Sequence, residues 1–373
     1  MIVAVLVATV AAAGIAQAAL TTSPKPDPKP LDRALLDAAN AKPVAGVTAR
    51  VKFTNNLLPS GSLPENAASP VLTGADGRLW LSNDGRVRLE LQSDAGDAQL
   101  VIDGERFMLY DAASKTAYTG RLPKSDDKAQ PKSGPKASLS KIQAGLAKLG
   151  EAWTLSGAQP TTTAGQPTYT VRIAPKDDGG LLGAAELAWD AVRGVPLRAA
   201  IYAQGNDKPV LEVEATDVSY GKIAPSQIST TPPAGAQVTE IDPPAGVDAQ
   251  GKQTHVEGVE NVQKHLPFKL AAPATLAGLP RQNVVLIATG SEKGALVRYG
   301  TGLGQILVVQ KQAAAQPNTP GFTLPQVNID GATGQELATA LGTFLTFKRD
   351  GVQYIVAGSV PPVAAENAAR DLR

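Results

Sequence analysis

Residues 78–121 read RLWLSNDGRVRLELQSDAGDAQLVIDGERFMLYDAASKTAYTGR, and this stretch decides the fold. Leu79 and Leu81 alternate with Trp80 and Ser82. Val87, Leu89 and Leu91 alternate with Arg88, Glu90 and Gln92. A period of two, apolar on one face and polar on the other, belongs to a sheet with one covered face. Asn83-Asp84-Gly85 and Asp103-Gly104 are turns, because Asp-Gly supplies the positive φ that a tight hairpin needs. Ser93–Asp97 and Asp111–Lys115 are turns as well. Leu100–Ile102, Phe107–Tyr110 and Thr116–Thr119 continue the alternation. The stretch is therefore a run of consecutive antiparallel strands whose apolar face requires a cover.

The flanks extend the same plan. Leu31–Ala41 predicts a short helix and Gly46–Thr54 a strand; 55–74 is a polar loop. Ser138–Leu149 predicts an amphipathic helix, with Ile142, Leu146 and Leu149 at helical spacing and a serine at its cap. Strands follow over 153–156, 159–165, 167–175, 184–190, 197–204 and 210–220, and Pro232-Pro233 closes the domain. Strand spacings of about 8 to 12 residues predict an all-antiparallel barrel or half-barrel. A Pro/Gly/Gln-rich linker spans 241–261. A small α+β domain over 262–373 has strands at 283–289, 294–299, 305–310, 343–349 and 353–358, a loop or helical turn at 333–337, and a terminal helix over 363–372.

Composition excludes several function classes. The 373 residues carry a formal net charge of +1, so no global field favours nucleic acid or an anionic surface. The absence of cysteine excludes disulfides, thiolate metal sites, a cysteine nucleophile and a lipidated N-terminal cysteine. Ile2–Leu20 is uncharged and mostly apolar, and Ala16-Gln17-Ala18 matches a small-x-small cleavage site. Residues 1–19 are thus a secretory signal or an N-terminal membrane anchor, and the protein is exported to an extracytoplasmic space. Residues 20–30, with TTSPKPDPKP, are an extended proline-rich spacer.

No catalytic constellation emerges. His255 and His265 lie in or beside the linker. Gly300-Thr301-Gly302-Leu303-Gly304 has GxGxG spacing between two strands, which reads as a hairpin turn rather than a dinucleotide loop. Lys124, Lys128, Lys132 and Lys136 make a solvated loop rather than a headgroup lip, because Asp126 and Asp127 offset them. Asp177-Asp178 is a solvated turn, and Trp80, Trp153 and Trp189 read as core. The expectation is a non-enzymatic protein without a cofactor or metal.

What remains is a one-sided apolar sheet with aromatics at only 4%, lined by Ala, Val and Leu that leave room. An acyl chain suits that room, at about 0.8 kcal/mol per buried methylene. Alternation gives the expected lining: Leu79, Leu81, Val87, Leu89, Leu91, Leu100, Ile102, Phe107, Leu109, Val171, Ile173, Leu187, Trp189, Leu197, Ile201, Leu211 and Val213.

The helix, strand, long loop and meander, with Val87–Gln92, Gln99–Asp103 and Phe107–Asp111 inside it, resemble the LolA-type lipoprotein carrier fold. Trp189-Asp190, Gly194-Val195-Pro196-Leu197 and Thr231-Pro232-Pro233-Ala234-Gly235 are similar to that family's return strands and edge. The resemblance covers about residues 31–240 and extends to lipid-binding lipoproteins of the LppX kind and to RseB-like regulators. It implies an α+β fold: an antiparallel half-barrel, unclosed and capped by helices over an apolar cavity. It also implies an acyl chain, lipid or lipoprotein as ligand. The C-terminal piece, ending YIVAGSVPPVAAENAARDL, is similar to sensor-like domains of such proteins, which implies an envelope or anti-sigma protein as the alternative partner.

Overall fold

The computed structural model describes residues 25–59, 69–122, 138–177, 180–241, 256–289, 292–313 and 324–372. The expected signal segment, the lysine loop over 123–137 and His255 lie outside them. The described chain divides into two compact units. One holds residues 25–56, 69–176 and 183–241; the other holds 57–59, 177, 180–182 and everything from 256 on.

The first unit is built on one 13-stranded sheet. Its strands are β1 (Gly46–Asn55), β2 (Ala75–Ser82), β3 (Val87–Ser93), β4 (Gly96–Asp103), β5 (Arg106–Asp111), β6 (Thr116–Arg121), β7 (Trp153–Leu155), β8 (Gln159–Thr163), β9 (Gln166–Pro175), β10 (Leu182–Asp190), β11 (Pro196–Ala203), β12 (Leu211–Tyr220) and β13 (Gln237–Ile241). The order runs β13-β6-β5-β4-β3-β2-β1-β12-β11-β10-β9-β7, with β8 paired to β9, so the sheet has two free ends and is unclosed. The helices are α1 (Leu31–Ala39), α2 (Pro70–Thr73) and α3 (Leu139–Ala152). An unclosed antiparallel half-barrel with a few helices is the fold class expected from the sequence.

The meander forms as the alternation dictates. Leu79 pairs with Leu89, Leu89 with Leu100 and Leu100 with Leu109. The Ser138 hydroxyl caps α3 by accepting from the Lys141 amide. One strand departs from the all-antiparallel expectation: β13 pairs parallel to β6, Gln237 opposite Thr116 through Ile241 opposite Gly120. Gly120 is required there, since a Cβ would lie 2.6 Å from the Ile241 carbonyl oxygen and 2.8 Å from the Phe107 ring. The proline-rich spacer is not free of the domain: Tyr169 Oη donates to the Asp27 carbonyl at 2.6 Å, and Lys29 bridges Ala158.

The second unit has an 8-stranded antiparallel sheet in the order β14-β15-β16-β17-β21-β20-β19-β18. These are β14 (Thr275–Leu276), β15 (Leu279–Thr289), β16 (Glu292–Tyr299), β17 (Ile306–Gln312), β18 (Gln326–Ile329), β19 (Ala332–Thr339), β20 (Gly342–Arg349) and β21 (Val352–Gly358). Helices α4 (Val259–Gln263) and α5 (Pro362–Asp371) share its core with Val297, Tyr299, Val308, Leu345 and Val356. The glycine-rich 300–304 segment is indeed the turn between β16 and β17. The loop or helical turn expected over 333–337 is instead part of β19. Asp330 and Gly331 both take left-handed φ and set a hairpin, while Glu336 on the core face hides the period of two from sequence.

Gln310 is fully buried in that core. Its Nε2 donates to the Ala271 carbonyl at 2.6 Å, and its Oε1 accepts from the Ala271 amide at 2.9 Å. These bonds fasten the segment before β14 to the middle of the sheet.

Candidate ligand face

The register places Leu79, Leu89, Leu100 and Leu109 in one row and Leu81, Val87, Ile102 and Phe107 in the next, on one face of β2–β5. Leu91, two residues beyond Leu89, shares that face. Cover on this face thins along the sheet. Val47, Ala49, Val51, Leu79, Val87 and Leu91 are buried, whereas Leu81, Leu89, Leu100, Ile102, Phe107 and Leu109 are partly exposed. The face is a packed core at β1–β2 and an incompletely covered apolar surface at β4–β5.

The remaining expected lining lies on β9–β12. Val171 faces Leu187, Ile173 faces Ala185, and Trp189 faces Tyr169 with ring centroids 6.1 Å apart. Helix α1 sets Ala34 on Tyr169, Val171 and Trp189, so Val171 and Trp189 are packed by the protein itself. Leu197 is buried with Val47, Val51 and Ala215. Ile201 pairs with Leu211, and both, like Ile173 and Val213, are partly exposed, while Leu187 is 37% exposed.

Helix α3 stands beside this region, touching α1 and β7. Gln143 donates to an Asp32 carboxylate oxygen at 2.8 Å. The apolar stripe of α3 is Leu139, Ile142, Leu146 and Leu149, and the helix buries no residue; Leu149 is 37% exposed. An amphipathic helix ordinarily owes most of its stability to a buried apolar stripe; here Leu139, Ile142 and Leu146 are only partly covered.

The opposite face of the meander differs from the sequence expectation of a solvated polar side. Val101, Met108 and Ala117 are buried there beneath Ile223 and Ile228 of the segment after β12. Trp80 points to this side. The Arg88 guanidinium lies 5.5 Å from its ring, pairs with Glu90, and donates to the Gln227 carbonyl at 3.1 Å.

Two polar groupings escaped the sequence reading. On β9–β12, Arg198 pairs with Glu186 at 2.8 Å and with Glu212 at 2.7 Å, Tyr202 Oη donates to Glu186 at 2.8 Å, and Arg172 pairs with Glu186 at 2.9 Å. Burial raises the Glu186 carboxyl, but its arginine and tyrosine partners leave it below the usual range. Glu214 is shifted upward by burial and by Glu212. The second grouping is the turn after β10. The fully buried Asp190 carboxylate accepts from the Val192 and Arg193 amides at 2.8 Å each, from Tyr220 Oη at 2.6 Å, and from Arg193 Nη1 at 3.0 Å. Burial and the adjacent Asp190 push the Tyr220 hydroxyl well above the ordinary phenol range. Both groupings are saturated by their own partners and bind strands together.

No family model and no curated protein match the chain. Among solved structures the chain is similar to MucB in complex with periplasmic MucA, at 15% identity and TM-score 0.42, over 92% of this chain and 98% of that one. It is similar to the Pseudomonas aeruginosa MucA/MucB complex at 17% identity and TM-score 0.45, over 91% and 96%. It is also similar to a putative outer membrane lipoprotein-sorting protein domain from Vibrio parahaemolyticus at 11% identity and TM-score 0.20, over 53% and 95%.

Proposed function

We propose that the protein is a non-enzymatic, exported binding protein that holds an acyl chain, or the lipid of a lipoprotein, on the apolar face of its half-barrel. The supporting observation is the presence in one unit of two incompletely covered apolar surfaces: the partly exposed Leu89, Leu100, Ile102, Phe107 and Leu109 side of the sheet, and the partly exposed stripe of α3. An acyl chain on such a face gains about 0.8 kcal/mol per methylene removed from water. Leu79, Val87, Leu91, Val171, Trp189 and Leu197 form the packed base; the partly exposed residues make the contact.

The test is native mass spectrometry of the full chain purified from an exporting host, followed by lipid extraction. The expected result is a co-purifying acyl lipid that disappears in Leu89→Glu and Val213→Glu. An empty protein that also takes up no fatty acid from solution overturns the proposal.

A second reading, a regulator that docks an envelope or anti-sigma protein through the C-terminal unit, is favoured by a different surface. Leu296, Val309 and Ile355 form one cross-strand row, and Leu307, Ala357 and Phe344 the next. All six are at least partly exposed, with Phe344 at 37%. Under this reading Phe344→Glu releases the protein from an envelope fraction while lipid occupancy is unchanged; retention of the variant at wild-type levels rules it out.

A further inference from the structure

The geometry points to a separate oxyanion site at the β5–β6–β13 edge of the first unit, suited to a phosphate group. Arg106 and Arg121 are direct cross-strand partners, so their side chains leave the same face of the sheet. Both are exposed, and neither has an ion pair among the described residues. Like charges placed directly opposite each other destabilise a strand pair unless something of opposite sign lies between them.

A cavity of about 340 Å³ opens beside the pair, lined also by Phe107, Thr119, Thr230, Pro232, Val238 and Glu240. Thr119 lies two residues from Arg121 on the same face, and Thr230 comes from the segment that covers this side. Their hydroxyls add neutral donors to the two guanidinium forks. Val238 and Pro232 supply an apolar wall. The volume accommodates a phosphate with a small attached body.

Glu240 sits on β13 opposite Thr119, on the same face as the arginines. It is the internal competitor for them within the cavity, and Asp103, the cross-strand partner of Arg106 on β4, is a second carboxylate on the same face. That gives the proposal a signed signature. Guanidinium groups bind oxyanions in charge-assisted, bidentate fashion, so Arg106→Gln and Arg121→Gln each weaken binding, by about tenfold or more. Glu240→Gln removes the competitor and tightens binding. All three positions are exposed surface residues, so the variants fold.

Isothermal titration of the full chain with inorganic phosphate is the first arm. Flotation with vesicles of phosphate-bearing against neutral head groups is the second. Phosphate bound with the signs given above establishes a free-anion site. Phosphate-bearing vesicles bound with those signs, inorganic phosphate alone being ineffective, establish a headgroup site. No binding in either arm, or binding insensitive to the two arginines, overturns the proposal. The arginines leave the face opposite the acyl-binding surface, and Phe107, which lines both, is unchanged in every variant, so the two failures are distinguishable: anion binding is read on Arg106→Gln and Arg121→Gln, and lipid occupancy on Leu89→Glu.

Discussion

Asp190 is the residue whose loss is most sharply priced by this structure. Its buried carboxylate holds two backbone amides, a tyrosine hydroxyl and a guanidinium. Asp190→Ala leaves two amides and the Tyr220 hydroxyl without acceptors. Bonds to a charged group are worth about 1.5–3 kcal/mol and do not add. Removing one partner of a buried ion pair costs about 3–5 kcal/mol, and here the Arg193 side chain is 38% exposed and returns to water at little cost. The expected loss is therefore about 3–4 kcal/mol. Asp190→Asn, which keeps an acceptor for the amides, loses about 1–2 kcal/mol, and Tyr220→Phe a similar amount. The double variant Asp190→Ala/Tyr220→Phe loses less than the sum of the two singles, because each single strands the other group. Urea unfolding followed by tryptophan emission reads this cleanly, since Trp80, Trp153 and Trp189 all belong to the first unit. With a urea slope of about 2–3 kcal/mol/M, the Asp190→Ala midpoint falls by about 1–2 M. A fall under about 0.3 M, or strict additivity in the double variant, refutes the account of this turn.

Two further outcomes follow from the structure. Glu336 is 9% exposed with Oε2 lacking a hydrogen-bond partner, and burial and the nearby Glu366 raise its carboxyl above the usual range. Its folded value thus exceeds its unfolded one, so its contribution is most favourable at acid pH and is lost as pH climbs through the ordinary glutamate range and upward to the raised folded value. Glu336→Gln stabilises the second unit near neutrality by on the order of 1 kcal/mol and flattens the pH dependence of amide exchange in β19 and β20; an unchanged profile counts against this. Gly120→Ala drives a Cβ into the Ile241 carbonyl and the Phe107 ring, so β13 loses exchange protection while β3 and β4 keep theirs. Protection of β13 equal to wild type contradicts the parallel pairing.

Sequence revealed the meander because its information is local. Period-two leucines and Asp-Gly turns sit within a few residues of one another, as do the Ser138 cap and the α3 stripe. The Asp350-Gly351 hairpin is equally local, with both residues at left-handed φ. The second cover of the sheet was not legible. Val101, Met108 and Ala117 meet Ile223 and Ile228 more than 100 residues later, and nothing in either segment names the other. Strand β13 was missed because five exposed residues after Pro232-Pro233 carry no alternation of burial. The Glu186–Arg198–Glu212 network was invisible for a different reason: charges at period two look the same whether they face water or one another. Of the expected lining, alternation found the shared face of the meander but not the division between packed base and open surface, which depends on where α1 and the return strands end.

The division of the chain into units has a consequence for how it can be cut and how it is made. Residues 57–59 and 180–182, from two early loops, belong with the C-terminal sheet. There the Ala340 amide donates to the Leu57 carbonyl at 2.8 Å, and the Leu181 amide donates to the Ser359 carbonyl at 3.1 Å. A fragment beginning after the linker therefore lacks two of its own pieces, and the tail is not a cassette that recombination can transplant intact. During synthesis those loops emerge long before the strands they complete, so the second unit cannot reach its final form until its own last strands have been made.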